Sequence, residues 1–249
     1  MTCSLYTMPT SLLKPALLFS LMLGIICCSK TQDRYCIVGY IENATDEDTV
    51  TILRFTADAV FEELARSTVC NSQFRMQGVV ESPELLYFCH KTSKRYNHSI
   101  FFIEEGVIEI VADTAGCHVA GTPLNDAKNL VEDSITSCIT RLSEIEREYY
   151  STTPDAARLA HLGCCGLGLQ ETLVAYLHNV VKENIHNPLG LYLLYIYNPI
   201  FTTRELIALT KEIPAAIIEG GNLPFYIALV RAIEERIQAT INKKADSLN

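Results

Sequence analysis

Several patterns that identify common protein classes are missing from this sequence. None of its 249 residues is tryptophan, and no two cysteines are spaced as C-x-x-C, the pattern of a dithiol exchange site. No two histidines are spaced as H-x-x-x-H, which argues against a metal site on a helix face. The G-x-S-x-G turn of many hydrolases and the G-K-[ST] ending of a phosphate loop are missing too. The sequence therefore predicts no catalytic residue, metal or cofactor, and leaves open a triad of distant Ser, His and Asp residues.

Basic residues are also few. The chain has 20 Lys and Arg against 29 Asp and Glu, a formal net charge of −9, and no basic cluster. Because nucleic-acid binding depends on neutralising phosphates with Lys and Arg, we predict no nucleic-acid partner. No long apolar run follows residue 28, so we predict no transmembrane helix in the rest of the chain.

The N-terminal segment combines Lys14 with the apolar run ALLFSLMLGIICC at residues 16–28. This run is shorter than the ~20 residues of a transmembrane helix. A basic residue before a short apolar core is typical of a secretory signal peptide, which we place over residues 1–27, starting at Met1 or Met8.

The end of this segment resembles a bacterial lipobox, in which a cysteine receives a lipid and becomes the new N-terminus. Cys28 is the predicted lipidation site and Cys27 the alternative, followed by a short tether over residues 28–33. We therefore expect an outer-membrane lipoprotein of the cell envelope, held at the membrane by its lipid. An ordinary cleaved signal and an uncleaved anchor are the competing interpretations. The cysteines after Cys28 are odd in number and irregularly spaced, which is not a disulfide framework.

Residues 34–121 are predicted to form a β-rich domain. Short apolar or alternating runs separated by Gly, Pro and Asn indicate an antiparallel sandwich or barrel. The predicted strands are 35–41, 48–55, 73–80, 84–90, 100–104 and 107–112. Glu105-Gly106 predicts a tight hairpin between the last two, with Glu104 and Glu105 as exposed turn carboxylates. Residues 57–65 are ambiguous and could form a short helix.

Residues 122–249 are predicted to form a helical domain of about four helices, which makes the fold class α+β. Apolar residues recur every three or four positions from Val131 to Tyr149, the pattern of an amphipathic helix. The predicted helix starts, from N-cap and proline signals, are Thr122-Pro123, Thr153-Pro154, the capping box Thr202-x-x-Glu205, and Asn222.

A series of short motifs follows the predicted lipidation site in a fixed order. They are Y-x-I/V-x-G at Tyr35 to Gly39, F-x-F/M-x-G at Phe74 to Gly78, FFIEEGVIEI at Phe101 to Ile110, V-x-G-T-P-L-N at Val119 to Asn125, and NPLG at Asn187 to Gly190. Together they resemble the domain of unknown function 4369, found at the N-terminus of Bacteroidetes-type lipoproteins. In many of those relatives the helical region leads into a thioredoxin-like domain with a W-C-x-x-C motif. No residue here matches that motif. The resemblance therefore implies the N-terminal domain and helical region of these relatives, without their redox activity.

Two further sets of residues are candidates for chemistry. Cys164 and Cys165 are a candidate redox pair, although a disulfide between neighbours is strained because its Cα atoms normally lie about 4.4–6.8 Å apart. Close packing of small residues is the alternative explanation for that stretch. A short D-S/T-apolar pattern, which resembles bacterial O-glycosylation sites, marks Thr49, Thr114, Ser134 and Ser247.

The sequence thus predicts a non-enzymatic envelope lipoprotein that binds a protein, peptide or glycan partner. The β-domain is the expected contact surface, because loops can vary on a rigid scaffold. The alternative is a redox-accessory protein that docks onto a separate thioredoxin-like oxidoreductase. A third possibility is an enzyme, which a deep pocket lined by titratable residues would indicate.

Overall fold

The strands of the protein divide into two four-stranded sheets. The computed structural model describes residues 34–91, 96–151 and 156–246. Its strands are β1 Arg34–Ile41, β2 Thr49–Phe55, β3 Phe61–Thr68, β4 Gln73–Val79, β5 Glu84–Lys91, β6 Tyr96–Ile103, β7 Gly106–Ala112 and β8 Cys117–Ala120. Sheet A has the strand order β4-β1-β7-β8, and sheet B the order β3-β2-β5-β6. All pairings are antiparallel except β1 with β7, which is parallel.

The first hydrophobic core lies between the two sheets. Strand residues alternate in direction, so one face of each sheet points into this core. Ile37 and Ile108 of sheet A and Phe88 and Phe101 of sheet B are fully buried there. The predicted β-sandwich is therefore confirmed.

The predicted hairpin at Glu105-Gly106 is wrong. Strand β6 belongs to sheet B and strand β7 to sheet A, so the chain crosses between the sheets at this point. Glu104 is correspondingly buried, not exposed as predicted. Its Oε1 accepts hydrogen bonds from the backbone N–H groups of Leu124, at 2.8 Å, and Asn125, at 3.4 Å. These N–H groups belong to the first turn of a helix and have no partner within it, which explains why a buried carboxylate lies there.

The ambiguous residues 57–65 do not form a helix. Phe61–Thr68 is strand β3, which pairs with β2 in antiparallel register and forms one edge of sheet B. Most of its side chains are exposed, so neither the period of a buried helix nor that of a half-buried strand is visible in the sequence.

The helices are α1 Pro123–Ser151, α2 Ala156–Asn184, α3 Pro188–Tyr197, α4 Thr203–Glu212, the short α5 Ala215–Ile217, and α6 Leu223–Asp246. The predicted starts at Thr122-Pro123 and at the Thr202 capping box are confirmed. The Thr153-Pro154 signal lies outside the described residues. Helix α3 was not predicted, because its sequence PLGLYLLYIY is apolar on every side and shows no period.

Asn222 is not the N-cap that the sequence predicts. A π-helical turn, Ile218–Asn222, leads directly into α6. The fully buried Asn222 side chain accepts a hydrogen bond from the backbone N–H of Leu85 and donates to the carbonyls of Pro83 and Ile217, each at 3.0 Å. The residue therefore fastens the start of α6 to strand β5.

A second core joins sheet B to the helices. Leu85 and Phe102 lie on the face of sheet B that points away from sheet A, and they pack with helix residues such as Leu193, Phe225 and Leu229. The order of layers is sheet A, sheet B, helices. The predicted α+β class, with a β-rich part followed by a helical part, is confirmed.

The segment Ala215–Lys243 is long and apolar enough to cross a membrane by length and composition. In this structure Phe225, Leu229 and Ile233 of that segment pack into the second core. These residues thus pack against sheet B and the neighbouring helices, and 28% of the most apolar 18-residue stretch of the segment is buried inside the protein.

Candidate functional site

The outward face of sheet A, which we call the open face, is the main candidate site. The strand register places its outward residues in rows across β4, β1, β7 and β8. The rows are Gln73–Tyr40–Val111–His118, Arg75–Val38–Glu109–Ala120 and Gln77–Cys36–Val107, with Val79 and Arg34 beyond them. Apolar side chains thus occupy the middle of the face, and polar ones lie mostly at its ends and on strand β4.

The apolar residues of the open face are accessible to a partner. Tyr40 is 46% exposed, Val79 45%, Val107 50% and Val111 42%. Isolated exposed apolar residues are normal on protein surfaces, whereas neighbouring ones on a single face mark interaction sites. The register puts Tyr40 beside Val111 and Cys36 beside Val107, so these residues are neighbours.

Two concavities lie on this same face. One, of about 610 Å³, is lined by residues that include Val38, Tyr40 and Arg75. The other, of about 510 Å³, includes Arg34, Gln77 and Val107. Both are open hollows on a sheet surface. This geometry suits an extended or flat ligand better than an enclosed small molecule.

Reciprocal contacts between aromatic residues and glycines hold β1 and β4 together beneath the open face. Tyr35 lies opposite Gly78, and Phe74 lies opposite Gly39. A Cβ atom on Gly39 would lie 2.0 Å from the Phe74 ring, and one on Gly78 would lie 2.5 Å from the Tyr35 hydroxyl. Each ring therefore occupies the space left by the glycine of the facing strand. Burial there raises the pKa of Tyr35 above its ordinary value.

A second arrangement joins sheet B to helix α1 through Asn125. The Asn125 side chain accepts a hydrogen bond from the backbone N–H of Phe102 at 2.9 Å and donates to the Phe102 carbonyl at 2.7 Å. It also donates to the Thr122 hydroxyl at 2.8 Å. Gly121, with φ of +93°, makes the turn into the helix, where a Cβ atom would lie 2.7 Å from the Val107 carbonyl oxygen. This junction links the sheets to the helices and offers no opening to a ligand.

These two arrangements use the motifs by which the sequence resembles a known domain. Residues 35–127 match the family model of the Domain of unknown function (DUF4369). The resemblance is confirmed for this stretch. The DUF4369 match covers the strands from β1 to β8 and the first turn of α1, and it ends just after Asn125. No curated protein matches the chain.

Several predicted site residues lie outside the described residues or are not among the outward residues of sheet A. Cys27, Cys28 and Ser247 lie outside the described residues, so lipidation and that glycosylation site remain predictions. Thr49 lies half-buried in β2, Thr114 is exposed between β7 and β8, and Ser134 is exposed on α1.

The candidate redox pair Cys164 and Cys165 lies about a third of the way along helix α2, and both thiols are exposed and not in a disulfide. Cys165 Sγ lies 3.6 Å from His161 Nε2, one helical turn away. The alternative explanation, close packing of small residues, is not needed at Gly166, where a Cβ atom would lie 3.8 Å from Ile145, an ordinary contact distance. Gly163 and Gly168 have open space around them. In the described part of the chain, no three His, Cys, Asp or Glu side chains are arranged to hold a metal.

Sequence reasoning did not identify the open face. The alternation of apolar and polar residues in β1, β4 and β7 predicts strands, but it does not say which strands are neighbours. The parallel pairing of β1 with β7 brings together residues about 70 positions apart, such as Tyr40 and Val111. The signal that could have indicated the face is the presence of valines and a tyrosine on the polar side of those strands.

Proposed function

We propose that this protein is a non-enzymatic envelope lipoprotein that binds a peptide segment of a partner protein on the open face of sheet A. The observation that carries the proposal is this accessible apolar sheet face on the side opposite the helices. Sheet B is covered on both sides, by sheet A and by the helices, so sheet A presents the broad free sheet surface of the described residues.

The composition of the open face supports a protein partner. Protein interfaces are enriched in Tyr and Arg and depleted in Lys, Asp and Glu. The outward residues listed above include Tyr40, Arg34 and Arg75, one acidic residue, Glu109, and neither Lys nor Asp. Two arginines and one glutamate give the face a formal charge of +1 within a chain of net charge −9. A neutral or weakly acidic segment therefore fits it best.

The size of the open face favours a short segment over a large surface. Four strands about 4.8 Å apart, three of them of seven or eight residues at ~3.3 Å per residue, give a face of at most roughly 15 by 23 Å. A standard stable interface buries ~800 Å² on each partner, which is about twice the area of this face. A short peptide is therefore the ligand class whose dimensions match.

Selection from a displayed random peptide library tests the binding proposal. We expect the purified chain to enrich a consensus sequence, and the Tyr40→Ala/Val107→Glu variant to lose it. Leu130→Glu is the matched control, because Leu130 is 70% exposed on helix α1 and is not one of the outward residues of sheet A. Circular dichroism establishes that each variant is folded. Enrichment of no consensus, or of the same one by the open-face variant, would refute the proposal.

The membrane anchor is tested separately from binding. The mass of the mature N-terminus, isolated from a membrane fraction, should show a lipidated Cys28. An unmodified N-terminus at another position would refute the lipoprotein part of the proposal and leave the peptide-binding part standing.

The contact between Cys165 and His161 favours a second candidate function, the redox-accessory protein. An exposed thiol beside an imidazole can attack a disulfide sulfur when the imidazole takes its proton, and the attacked disulfide then releases a thiolate. Incubation with a thioredoxin-like protein whose resolving cysteine is replaced, and whose remaining cysteine carries thionitrobenzoate as a mixed disulfide, should then trap the two proteins as a new mixed disulfide and release thionitrobenzoate as the leaving thiolate. The trap should form with Cys70→Ser, which removes another exposed thiol, and fail with Cys165→Ser. Trapping that is equal in both variants would dismiss this candidate.

A further inference from the structure

Two of the four sheet edges are protected by asparagines of helix α1. Edge strands present unpaired backbone groups, which proteins shield from other chains with short strands, bulges, charges or covering segments. On β6, the Asn125 side chain bonds to the N–H and C=O of Phe102. On β8, which has four residues, Asn129 donates to the Val119 carbonyl at 2.8 Å. Both edges beside α1 therefore carry such protection.

The other two edges, β3 and β4, differ in regularity. The register of β3 with β2 skips Leu64, and β3 exposes Glu62 and Glu63. Strand β4, in contrast, pairs with β1 from Gln73 to Val79 without a shift. It contains no Pro, Lys, Asp or Glu. Among the described strands, β4 is therefore the regular and unprotected edge.

The hydrogen bonds at the start of β4 show which of its backbone groups point away from β1. The N–H and C=O of Gln73 bond to Cys70, at 2.9 and 2.8 Å, and not to β1. Alternate residues of an antiparallel strand point their backbone groups in the same direction. Those of Arg75, Gln77 and Val79 therefore point outward as well.

The open part of this edge is the stretch from Gln77 to Val79. The Arg75 carbonyl accepts a hydrogen bond from the Ser67 hydroxyl at 3.2 Å, which agrees with its outward direction and occupies that end of the edge. Within the described residues, no hydrogen bond uses the outward N–H or C=O of Gln77 or Val79. These groups repeat about 6.6 Å apart, the spacing of alternate residues in another strand. The edge thus specifies its ligand, an extended backbone that adds to the sheet.

Two arginines favour an acidic segment at this edge. Arg75 lies on the open face at one end of the stretch, and Arg34 lies opposite Val79 at the other. Neither arginine forms an ion pair within the described residues. The one acid of the face, Glu109, is two strands away on β7. A carboxylate on an added strand, opposite Gln77, lies diagonal to Arg75 and within reach of its guanidinium.

One hollow of the open face begins at this same stretch. The hollow of about 510 Å³ is lined by Gln77, Gly78 and Val79 on β4, by Cys36 on β1 and by Val107 on β7. A segment paired along β4 therefore lies beside this hollow, which has room for one of its apolar side chains.

We propose that the peptide segment bound by the open face pairs its backbone with Gln77 and Val79 and becomes a fifth strand of sheet A. Its acidic side chains lie towards Arg75 and Arg34, and an apolar side chain enters the hollow beside Val79. This inference rests on the proposed function, because its ligand is the same segment.

The first test uses the unchanged protein and a peptide enriched from the displayed random library. Backbone N-methylation, placed at one residue of the peptide at a time, removes one N–H donor. At alternate residues it should weaken binding roughly tenfold or more, because those N–H groups bond to β4. At the residues between them it should have little effect. A segment held by its side chains alone would show no such alternation.

The second test changes the edge. Gln77→Pro removes an outward N–H that no strand of the described residues uses, so sheet A keeps its own ladder. It should weaken peptide binding roughly tenfold or more, whereas Gln77→Ala keeps the N–H and should retain binding. Circular dichroism establishes that both variants are folded. Arg75→Gln should weaken binding and reduce its dependence on salt, and Arg141→Gln, on the exposed surface of α1, should change neither.

Three results would overturn the inference. N-methylation that acts equally at neighbouring residues, or a Gln77→Pro variant that binds as tightly as Gln77→Ala, would exclude strand pairing while leaving peptide binding intact. A wild-type chain that dimerises without peptide, and is monomeric as Gln77→Pro, would assign the edge to a second copy. A library that enriches no peptide would refute the proposed function, and this inference with it.

Discussion

Asn125 acts as a substitute for a neighbouring strand. Its side-chain amide accepts a hydrogen bond from the Phe102 backbone N–H and donates one to the Phe102 carbonyl. At this edge of sheet B, an adjacent strand would otherwise make both bonds. The side chain is 1% exposed, so water cannot replace these bonds when the amide is removed. The residue therefore couples the position of helix α1 to the sheet.

We predict that Asn125→Ala lowers the free energy of unfolding by roughly 2–4 kcal/mol, because it leaves a buried N–H and a buried C=O without partners. Urea unfolding followed by circular dichroism measures the change. Thr140→Ala, at an exposed position of the same helix, should alter stability by less than about 0.5 kcal/mol. Equal stability of the two variants would show that the bonds to Phe102 contribute nothing.

The roles of single residues were the hardest to predict from the sequence. Tyr35, Gly39, Phe74 and Gly78 stand out as motifs, yet their function depends on the register of β1 with β4. Glu104 was expected in an exposed turn, because the sequence cannot show that the chain changes sheets there. In each case the deciding partner is distant in sequence, and local patterns carry no information about it.

Whole elements were predicted better than residues where a period was present. Strands β1, β2, β4, β5 and β7 and helix α1 alternate or repeat clearly, and the structure confirms them. Helix α3 and strand β3 were missed for opposite reasons, since α3 is buried on all sides and β3 is exposed on nearly all. A one-sided environment is what produces a period in the sequence, and neither element has one.

The start of helix α4 shows how local sequence fixes one element. Thr202 Oγ1 accepts the backbone N–H of Glu205, and the Glu205 carboxylate accepts the backbone N–H of Thr202 at 2.8 Å. The hydrogen bonds from the Thr202 side chain, and then from its backbone, lower the pKa of Glu205 below its ordinary value of 4.5. Because the folded-state pKa is lowered, this contribution to stability is present above pH 4.5 and is lost as the pH falls through the folded-state pKa.

We predict that Thr202→Ala destabilises the protein by ~1 kcal/mol at neutral pH, the usual cost of a lost N-cap. Well below pH 4.5 the difference in stability between Thr202→Ala and the wild type should shrink, because the Glu205 carboxylate of the capping box is then protonated. Thermal unfolding of both proteins across this pH range measures the effect. Thr202→Ser keeps the hydroxyl and should behave like the wild type; a loss of stability equal to that of Thr202→Ala would rule out the cap as the cause.

At the scale of the whole molecule, the layer order determines which surfaces remain free. The helices cover sheet B, which leaves the open face of sheet A free on the opposite side of the described residues. The sequence predicts the two kinds of layer, but not which sheet the helices cover. That choice follows from Asn125 and Asn222, which bond to strands β6 and β5 of sheet B.

The contact between sheet B and the helices should make the fold sensitive to alkali. Tyr87 lies in this contact, with its ring stacked on Phe225 at 6.2 Å, and burial raises its pKa to about 12 from an ordinary 10.0. Burial also raises the pKa of Cys117 to about 12 from 9.0. In the folded state both groups hold their protons more tightly than in the unfolded state. Their contribution is therefore complete below the ordinary pKa values and is lost as the pH rises towards 12.

We predict a melting temperature that falls steadily from about pH 9 upwards, and falls less steeply in Tyr87→Phe, which has no phenol to ionise. Thermal unfolding at a series of alkaline pH values measures both slopes. Tyr150→Phe is the matched control, because Tyr150 is 77% exposed and its loss should leave the wild-type slope unchanged. If the melting temperature falls equally steeply with pH in Tyr87→Phe and Tyr150→Phe, ionisation in the contact between sheet B and the helices is not the cause of the destabilisation.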